Sequence, residues 1–339
     1  MTNPQSICVV IAAKDASATI GRAVTSALGE PEVAEVIVID DGSTDATGPS
    51  AQSADDGSGR LRIVRFDSNR GPAAARNQAM ALSSSPLIAV LDADDFLLPG
   101  RFSRLLALPD WDLVADNIVF VDERHAETTN LNVAEFQPAS KLIDLEGFIE
   151  GNISRRGKSR GETGFLKPVM RRAFLAANEL RYREDLRLGE DYDLYVRALA
   201  KGARYRVSHA CGYGAVVRRN SLSGQHRTED LRRLYEADRA ILQAGDLAPQ
   251  AARLIRRHEL HIRGRYELRH FLDLKNRQGA GSALRYALFH PAALPAIAGG
   301  ILTDKAERFR RPPAQAATRH SSAPELRYLL PAIPVSVQK

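Results

Sequence analysis

Apolar and β-branched residues gather in four short runs early in the chain, Ile7–Ala12, Val36–Asp40, Ile63–Phe66 and Leu87–Asp92. Between them the apolar positions switch to helical spacing. The C-terminal ends of these runs lie 28, 26 and 26 residues apart, which suits a strand, a crossover helix and a parallel return strand. Ile20, Val24, Ala27 and Leu28 form one stripe over Thr19–Leu28, with Ser17 as its candidate cap and Gly29 as its stop. Ser43-Thr44-Asp45 can cap a second helix, and Gly71-Pro72 opens a third, because proline is tolerated in a first turn. The pattern predicts an α/β fold with a doubly wound, mostly parallel sheet.

Beyond Trp111 the pattern is less regular. Asp112–Val121 reads as a strand, Lys141–Glu150 as a short helix, and Asp191–Lys201 as a helix ended by Gly202. Ser154 to Gly161 is a basic, glycine-punctuated loop. From Thr228 to about Phe289 the pattern is charged and helical, and from Pro312 it becomes rich in Pro, Ala and Ser. The expected organisation is a domain over 1–227 with halves 1–110 and 111–227. A basic helical extension over 228–311 and a poorly ordered tail over 312–339 follow it.

Composition narrows the class. Of 339 residues, 44% are apolar and 26% charged, the profile of a folded, water-soluble chain. Two cysteines cannot build a disulfide framework, and no basic n-region precedes the first apolar run, so a cytoplasmic location is expected. His290, Pro291 and Pro295 interrupt Tyr286–Leu302, the nearest approach to a spanning segment. The net charge of +6 is uneven. Arg253 to His320 holds 14 Lys or Arg against 5 Asp or Glu, a balance of +9 that leaves −3 for the rest. Such a basic quarter suggests an anionic partner.

In doubly wound sheets ligands bind beyond the carboxyl ends of the strands. Those ends carry Ala12-Ala13-Lys14-Asp15, Asp40-Asp41-Gly42-Ser43, Asp67 to Gly71, and Asp92-Ala93-Asp94-Asp95. None contains GxGxxG or a Walker A sequence, so dinucleotide and P-loop chemistry lose their main support. Clustered carboxylates on such a loop are hard oxygen ligands, suited to Mg²⁺ or Mn²⁺ holding a diphosphate. Each cluster alone could also be an Asp-rich turn or a helix cap. Two of them in one sheet favour a binding site.

The segments Val9 to Asp15, Val38 to Asp45, Asn69 to Asn77, Leu91 to Asp95, Thr163 to Arg172 and Gly189 to Arg197 occur in an order that resembles the family 2 glycosyltransferases. The whole chain, including Leu268 to Asp273, is similar to the rhizobial succinoglycan glucosyltransferases. The resemblance implies the GT-A fold and an inverting transfer of a sugar from a UDP-sugar, glucose from UDP-glucose being expected. The acceptor it implies is a lipid-diphosphate-linked oligosaccharide in exopolysaccharide assembly. Residue by residue, it implies that Ala12 and Asp15 line the base pocket and that Asp41 reads the uracil ring. Gly71 and Arg76 pass beside the nucleotide, Asp92 faces the ribose, and Asp94 binds Mg²⁺ or Mn²⁺. Asp191 becomes the catalytic base and His226 a further metal ligand. Lys14 departs from the family, which often has Tyr there. Without the resemblance, Arg76 reads equally as a helix-surface ion pair, Asp191 as an N-cap and His226 as a solvated loop residue.

Neighbouring residues on a helix point about 100° apart, so Glu190 and Asp191 cannot serve one hydroxyl together. His258 and His261 have HELH rather than HExxH spacing, which argues against zinc. For the basic C-terminal region the readings are a solvated helical face or an interfacial segment on an anionic membrane surface, with Tyr286–Leu302 flanked by cations. Aromatic interleaving is too sparse for nucleic acid. The expectation is a peripheral protein on the inner face of the cytoplasmic membrane. The alternatives are a nucleotidyltransferase, for which a glycine-rich triphosphate signature is missing, and an inactive nucleotide-sugar-binding scaffold.

Overall fold

A computed structural model describes residues 5–125, 133, 139–153, 163–217, 227–245, 247–310 and 326–330, over 303–310 the backbone alone. The chain divides into two compact units. The first is Met1–Ser221 with Leu326–Lys339, and the second is Leu222–Glu325.

The first unit opens with β1 (Ile7–Ala13), α1 (Ile20–Leu28), β2 (Val33–Asp40), α2 (Thr47–Gln52), β3 (Leu61–Arg65), α3 (Pro72–Leu82) and β4 (Leu87–Val90). These strands are parallel in the order β3-β2-β1-β4. The chain therefore reverses its direction of winding between β1 and β4, where such sheets open a crevice at their carboxyl ends. β1 is buried along nearly its whole length, as its unbroken apolar run requires of a strand covered on both faces. The fourth strand ends at Val90, not Asp92, which leaves Leu91 and Asp92 beyond the ladder.

The sheet continues through β5 (Phe96–Leu97), α4 (Arg101–Leu106), β6 (Leu113–Asp122), β7 (Ser140–Ile143), α5 (Leu145–Asn152), β8 (Val169–Arg171), α6 (Arg172–Ala177), α7 (Glu190–Ala200) and β9 (Tyr205–Val217). β8 lies antiparallel between β4 and β6, and β6 runs parallel to β9. The helix expected over Lys141–Glu150 is instead strand β7 followed by α5. Lys141, Leu142 and Ile143 pair with β9, and the Asp144 carboxylate accepts from the Gly147 N–H at 2.8 Å to start the helix one residue later.

A second correction concerns the tail. Arg327–Tyr328 forms β10, antiparallel to β6, and the Asn117 side chain clasps the Leu330 backbone. Its Oδ1 accepts from the Leu330 N–H at 2.8 Å and its Nδ2 donates to the Leu330 carbonyl at 3.1 Å. Asn117 is fully buried, so these bonds satisfy polar atoms that would otherwise be stranded in the core.

The second unit is helical: α8 (Thr228–Gln243), α9 (Pro249–Gln278), α10 (Ala280–Phe289) and α11 (Leu294–Arg310). Leu231, Leu234 and Ile241 of α8 and Leu254, Ile255 and Ile262 of α9 are buried at helical spacing. His258 is buried with its Nδ1 2.7 Å from the Asp238 carboxylate, a structural pair across two helices. The described residues contain no group of three or more His, Cys, Asp or Glu able to hold a metal. None of their helices is long and apolar enough to cross a membrane.

Candidate active site

Parallel pairing sets the carboxyl ends of β1, β2 and β4 side by side, and hydrogen bonds then knit their loops together. Lys14 donates from Nζ to the Gly42 carbonyl at 3.0 Å and to Asp15 at 3.1 Å. The departure at Lys14 thus ties the first strand end to the second. Asp15 accepts from the Thr44 N–H at 2.7 Å and hydroxyl at 3.1 Å, and these bonds together with Lys14 hold its carboxyl below the usual range. Gly42 has φ +66°, and a Cβ there would lie 2.8 Å from the Ser68 backbone, so the second loop can approach the third only with glycine.

Asp41 is buried and braces that third loop. One carboxylate oxygen accepts from the Arg70 N–H at 2.6 Å and the other from the Gly71 N–H at 2.8 Å. Gly71, at φ +96°, then starts α3, with Pro72 at its first position. Ala12, the penultimate residue of β1, is half-buried.

The centre of the site is a cluster of five charged side chains drawn from distant segments. Arg76, on the second turn of α3, donates to Asp92 at 2.8 Å, to Glu190 at 2.9 Å and to Asp191 at 3.0 Å. Lys167 Nζ lies 2.8 Å from both Asp92 and Asp191. The sheet explains how Lys167 arrives. Val169 is paired antiparallel with Ala89, so two residues before one meets two residues after the other, near the mouth where Asp92 begins.

Arg76 is only 4% exposed, so it is a buried hub and not a helix-surface ion pair. Asp191 is not a cap either: Gly189 holds that position, and Asp191 is the second residue of α7. Burial opposes the charge on Arg76 and Lys167, yet the surrounding carboxylates outweigh it and raise both above their usual values. Burial likewise works against the Asp92 charge, but Lys167 and Arg76 prevail and hold the carboxyl well below the ordinary range. Glu190 goes the other way. Burial raises it, Arg76 offsets this only in part, and its neighbour Asp191 adds to the rise.

The rest of the acidic loop is divided in role. Asp95 is buried, accepts from the Tyr213 hydroxyl and the Val216 N–H, both at 2.8 Å, and so fastens the loop to β9. Burial, with Asp92 and Asp94 nearby, pushes its carboxyl up to about 8. The Asp94 backbone carbonyl accepts from Arg22 at 2.8 Å, and its side chain is half-buried. Both Asp92 oxygens face cations, and Asp94 supplies a second carboxylate on the same loop. One carboxylate together with substrate phosphates is a common way of holding Mg²⁺, so this donor set fits a divalent ion that arrives with a diphosphate. His226 and the basic loop 154–161 lie outside the described residues.

Lys167 and Tyr213 were not singled out by sequence reasoning. For Lys167 a signal existed: it is the one charge inside the apolar run Phe165 to Met170.

Residues 8–176 match the model of glycosyl transferase family 2. The chain is 63% identical to succinoglycan biosynthesis protein ExoU of Rhizobium meliloti, over 98% of this chain and 97% of that one. It is 36% identical to ExoO of the same organism, over 92% and 90% respectively. The fold is similar to that of S. aureus TarS 1-349 in complex with UDP-GlcNAc, with a TM-score of 0.59, 20% identity and coverage of 86% and 79%.

Proposed function

Because this chain belongs to glycosyl transferase family 2 and is a glycosyltransferase of GT-A fold, we propose that it moves glucose from UDP-glucose onto a hydroxyl of a lipid-diphosphate-linked oligosaccharide. The step belongs to assembly of a succinoglycan-type exopolysaccharide, a reading supported by the near-complete match to ExoU. The observation that carries the chemistry is the Asp191 carboxylate, fixed between Arg76 and Lys167 beside the acidic strand end.

In this reading Ala12, Asp15, Asp41 and Gly71 form the nucleotide side of the crevice. Each Asp41 oxygen accepts one backbone N–H and keeps a lone pair for the N3–H of uracil. Asp92 faces the ribose, and Arg76 acts as a positioning residue for Asp92 and Asp191. Asp94 is the residue that would hold Mg²⁺ or Mn²⁺, which when bound offsets the charge growing on the departing diphosphate.

Asp191 is the base. Held between Arg76 and Lys167, its carboxylate takes the proton from the acceptor hydroxyl as that oxygen attacks the anomeric carbon. The C–O bond to UDP breaks in the same displacement, so the configuration inverts and no glycosyl-enzyme forms. Glu190, whose carboxyl burial pushes toward the neutral form, shares Arg76 and keeps it aimed at Asp191. The protein works peripherally at the inner face of the cytoplasmic membrane, where a lipid-linked acceptor sits.

Titration calorimetry of UDP-glucose tests the donor half of the reading. Binding should require Mg²⁺ or Mn²⁺, vanish with chelator, and weaken by roughly tenfold or more in Asp94→Ala, which leaves the diphosphate charge unopposed. Undiminished affinity in that variant would remove Asp94 from the site.

A further inference from the structure

Helix α10 turns Ala283 and Ala287 inward and its leucines and Phe289 outward, whereas α11 buries Ile297. Ala287, Ala293 and Ile297 form the buried cluster, with Ala283 also buried. Leu284, Leu288 and Phe289 are 60%, 69% and 76% exposed, and Leu294 and Leu302 on α11 are exposed as well. A helix that served only to pack on α9 would gain most from the reverse order, since burial rewards the larger side chains. Contiguous exposed apolar residues of this kind mark a surface that meets something apolar.

The chemistry beside the patch says what that something is. A cavity of about 380 Å³ opens between α9 and α10, lined by His270, Gln278, Ser282, Arg285, Tyr286 and Phe289 among others. Ring contacts build its wall: the His290 ring stacks on Tyr286 at 4.3 Å, Tyr286 meets His270 edge-on at 4.7 Å, and the Tyr286 hydroxyl donates to Glu267. Hydrogen-bond donors and an exposed guanidinium thus stand next to three outward apolar side chains, in a segment whose charge balance is +9.

We propose that this face docks on an anionic phospholipid bilayer. Leu284, Leu288 and Phe289 enter the boundary between headgroups and acyl chains, while Arg285 and the polar cavity wall take a lipid phosphate. A second copy of the chain is a poorer occupant, because a twofold contact through this patch would bring one cationic segment against another. The inference rests on the proposed membrane location and names the surface responsible for it.

The test is flotation of the full chain with vesicles of equal parts phosphatidylcholine and phosphatidylglycerol, against phosphatidylcholine alone. The protein should float with the anionic vesicles only. The double variant L288Q/F289Q and the single variant R285E should each lower the vesicle-bound to free ratio by roughly tenfold or more. Their unfolding midpoints should stay near wild type, since the altered side chains are exposed. Equal flotation of variants and wild type overturns the proposal, as does wild type that never floats. A dimer in sedimentation that L288Q/F289Q dissolves overturns it too, by making the face a protein contact. UDP release with a soluble, lipid-free acceptor is scored separately. Should that transfer fail while the flotation pattern holds, the enzymatic reading falls and the docking face stands.

Discussion

Lys167 and Arg76 each bridge Asp92 to Asp191, so the two carboxylates share their neutralising charge and neither cation is dispensable. Replacing Lys167 with Met leaves one oxygen of each acid without its ion partner. Chemical denaturation should show a loss of about 3 kcal/mol, the low end for a broken buried pair, because the Asp92 side chain keeps 33% exposure. Asp191→Asn separates binding from chemistry. It preserves shape but cannot take a proton at neutral pH, so kcat should fall by roughly 10²–10⁴ while donor affinity in calorimetry changes little. Glu190→Gln should cost less; a dead Glu190→Gln beside a working Asp191→Asn would exchange their roles. At this scale the sequence disclosed the acids better than the cations. Asp92-Ala93-Asp94-Asp95 and Glu190-Asp191 announce themselves because acids cluster where apolar runs stop. Lys167 becomes meaningful only once β8 is known to lie antiparallel to β4, a pairing between segments some 80 residues apart that no local pattern encodes.

Among the elements, β10 and the residues after it reach the buried Asn117 of β6. Removing residues 326–339 would strand the buried Asn117 amide, which pairs only with Leu330 and with its neighbour's N–H among the bonds described. Each orphaned buried polar group costs about 1–3 kcal/mol, so thermal unfolding of that truncation should occur at a clearly lower temperature. Asn117→Leu in the shortened chain should recover part of the loss, because a buried apolar side chain needs no partner. The four leading strands and their helices were readable, since the Val- and Ile-rich runs of β1, β2 and β4, buried on both faces, have few other homes and β3 follows at the same spacing. A two-residue strand in a Pro-, Ala- and Ser-rich stretch was not, because its partner lies 213 residues away from Leu330. The boundary between β7 and α5 was blurred for a related reason. Lys141-Leu142-Ile143 suits either a helix or an edge strand until β9 supplies the pairing.

Over the whole molecule, the helical unit falls in sequence between β9 and β10, so a chain ended before it also loses β10 from the sheet. Point changes on α10 are therefore the cleaner probe of membrane attachment. If basic side chains contribute as proposed, raising the salt to about 1 M, where the Debye length is about 3 Å, should release most of the vesicle-bound protein. The charge asymmetry behind this was plain in the sequence, whereas the outward face of α10 was not, because spacing alone cannot say which side of a helix meets its neighbour. The central claim remains sugar transfer from UDP-glucose to a lipid-linked acceptor with Asp191 as the base. It is tested most directly by incubating purified protein with radiolabelled UDP-glucose and a membrane extract, then counting label in the organic-soluble lipid fraction. Label should enter that fraction with matching release of UDP for the wild type and fall to near background for Asp191→Asn. No lipid label from the wild type, or equal label from both proteins, would contradict the account.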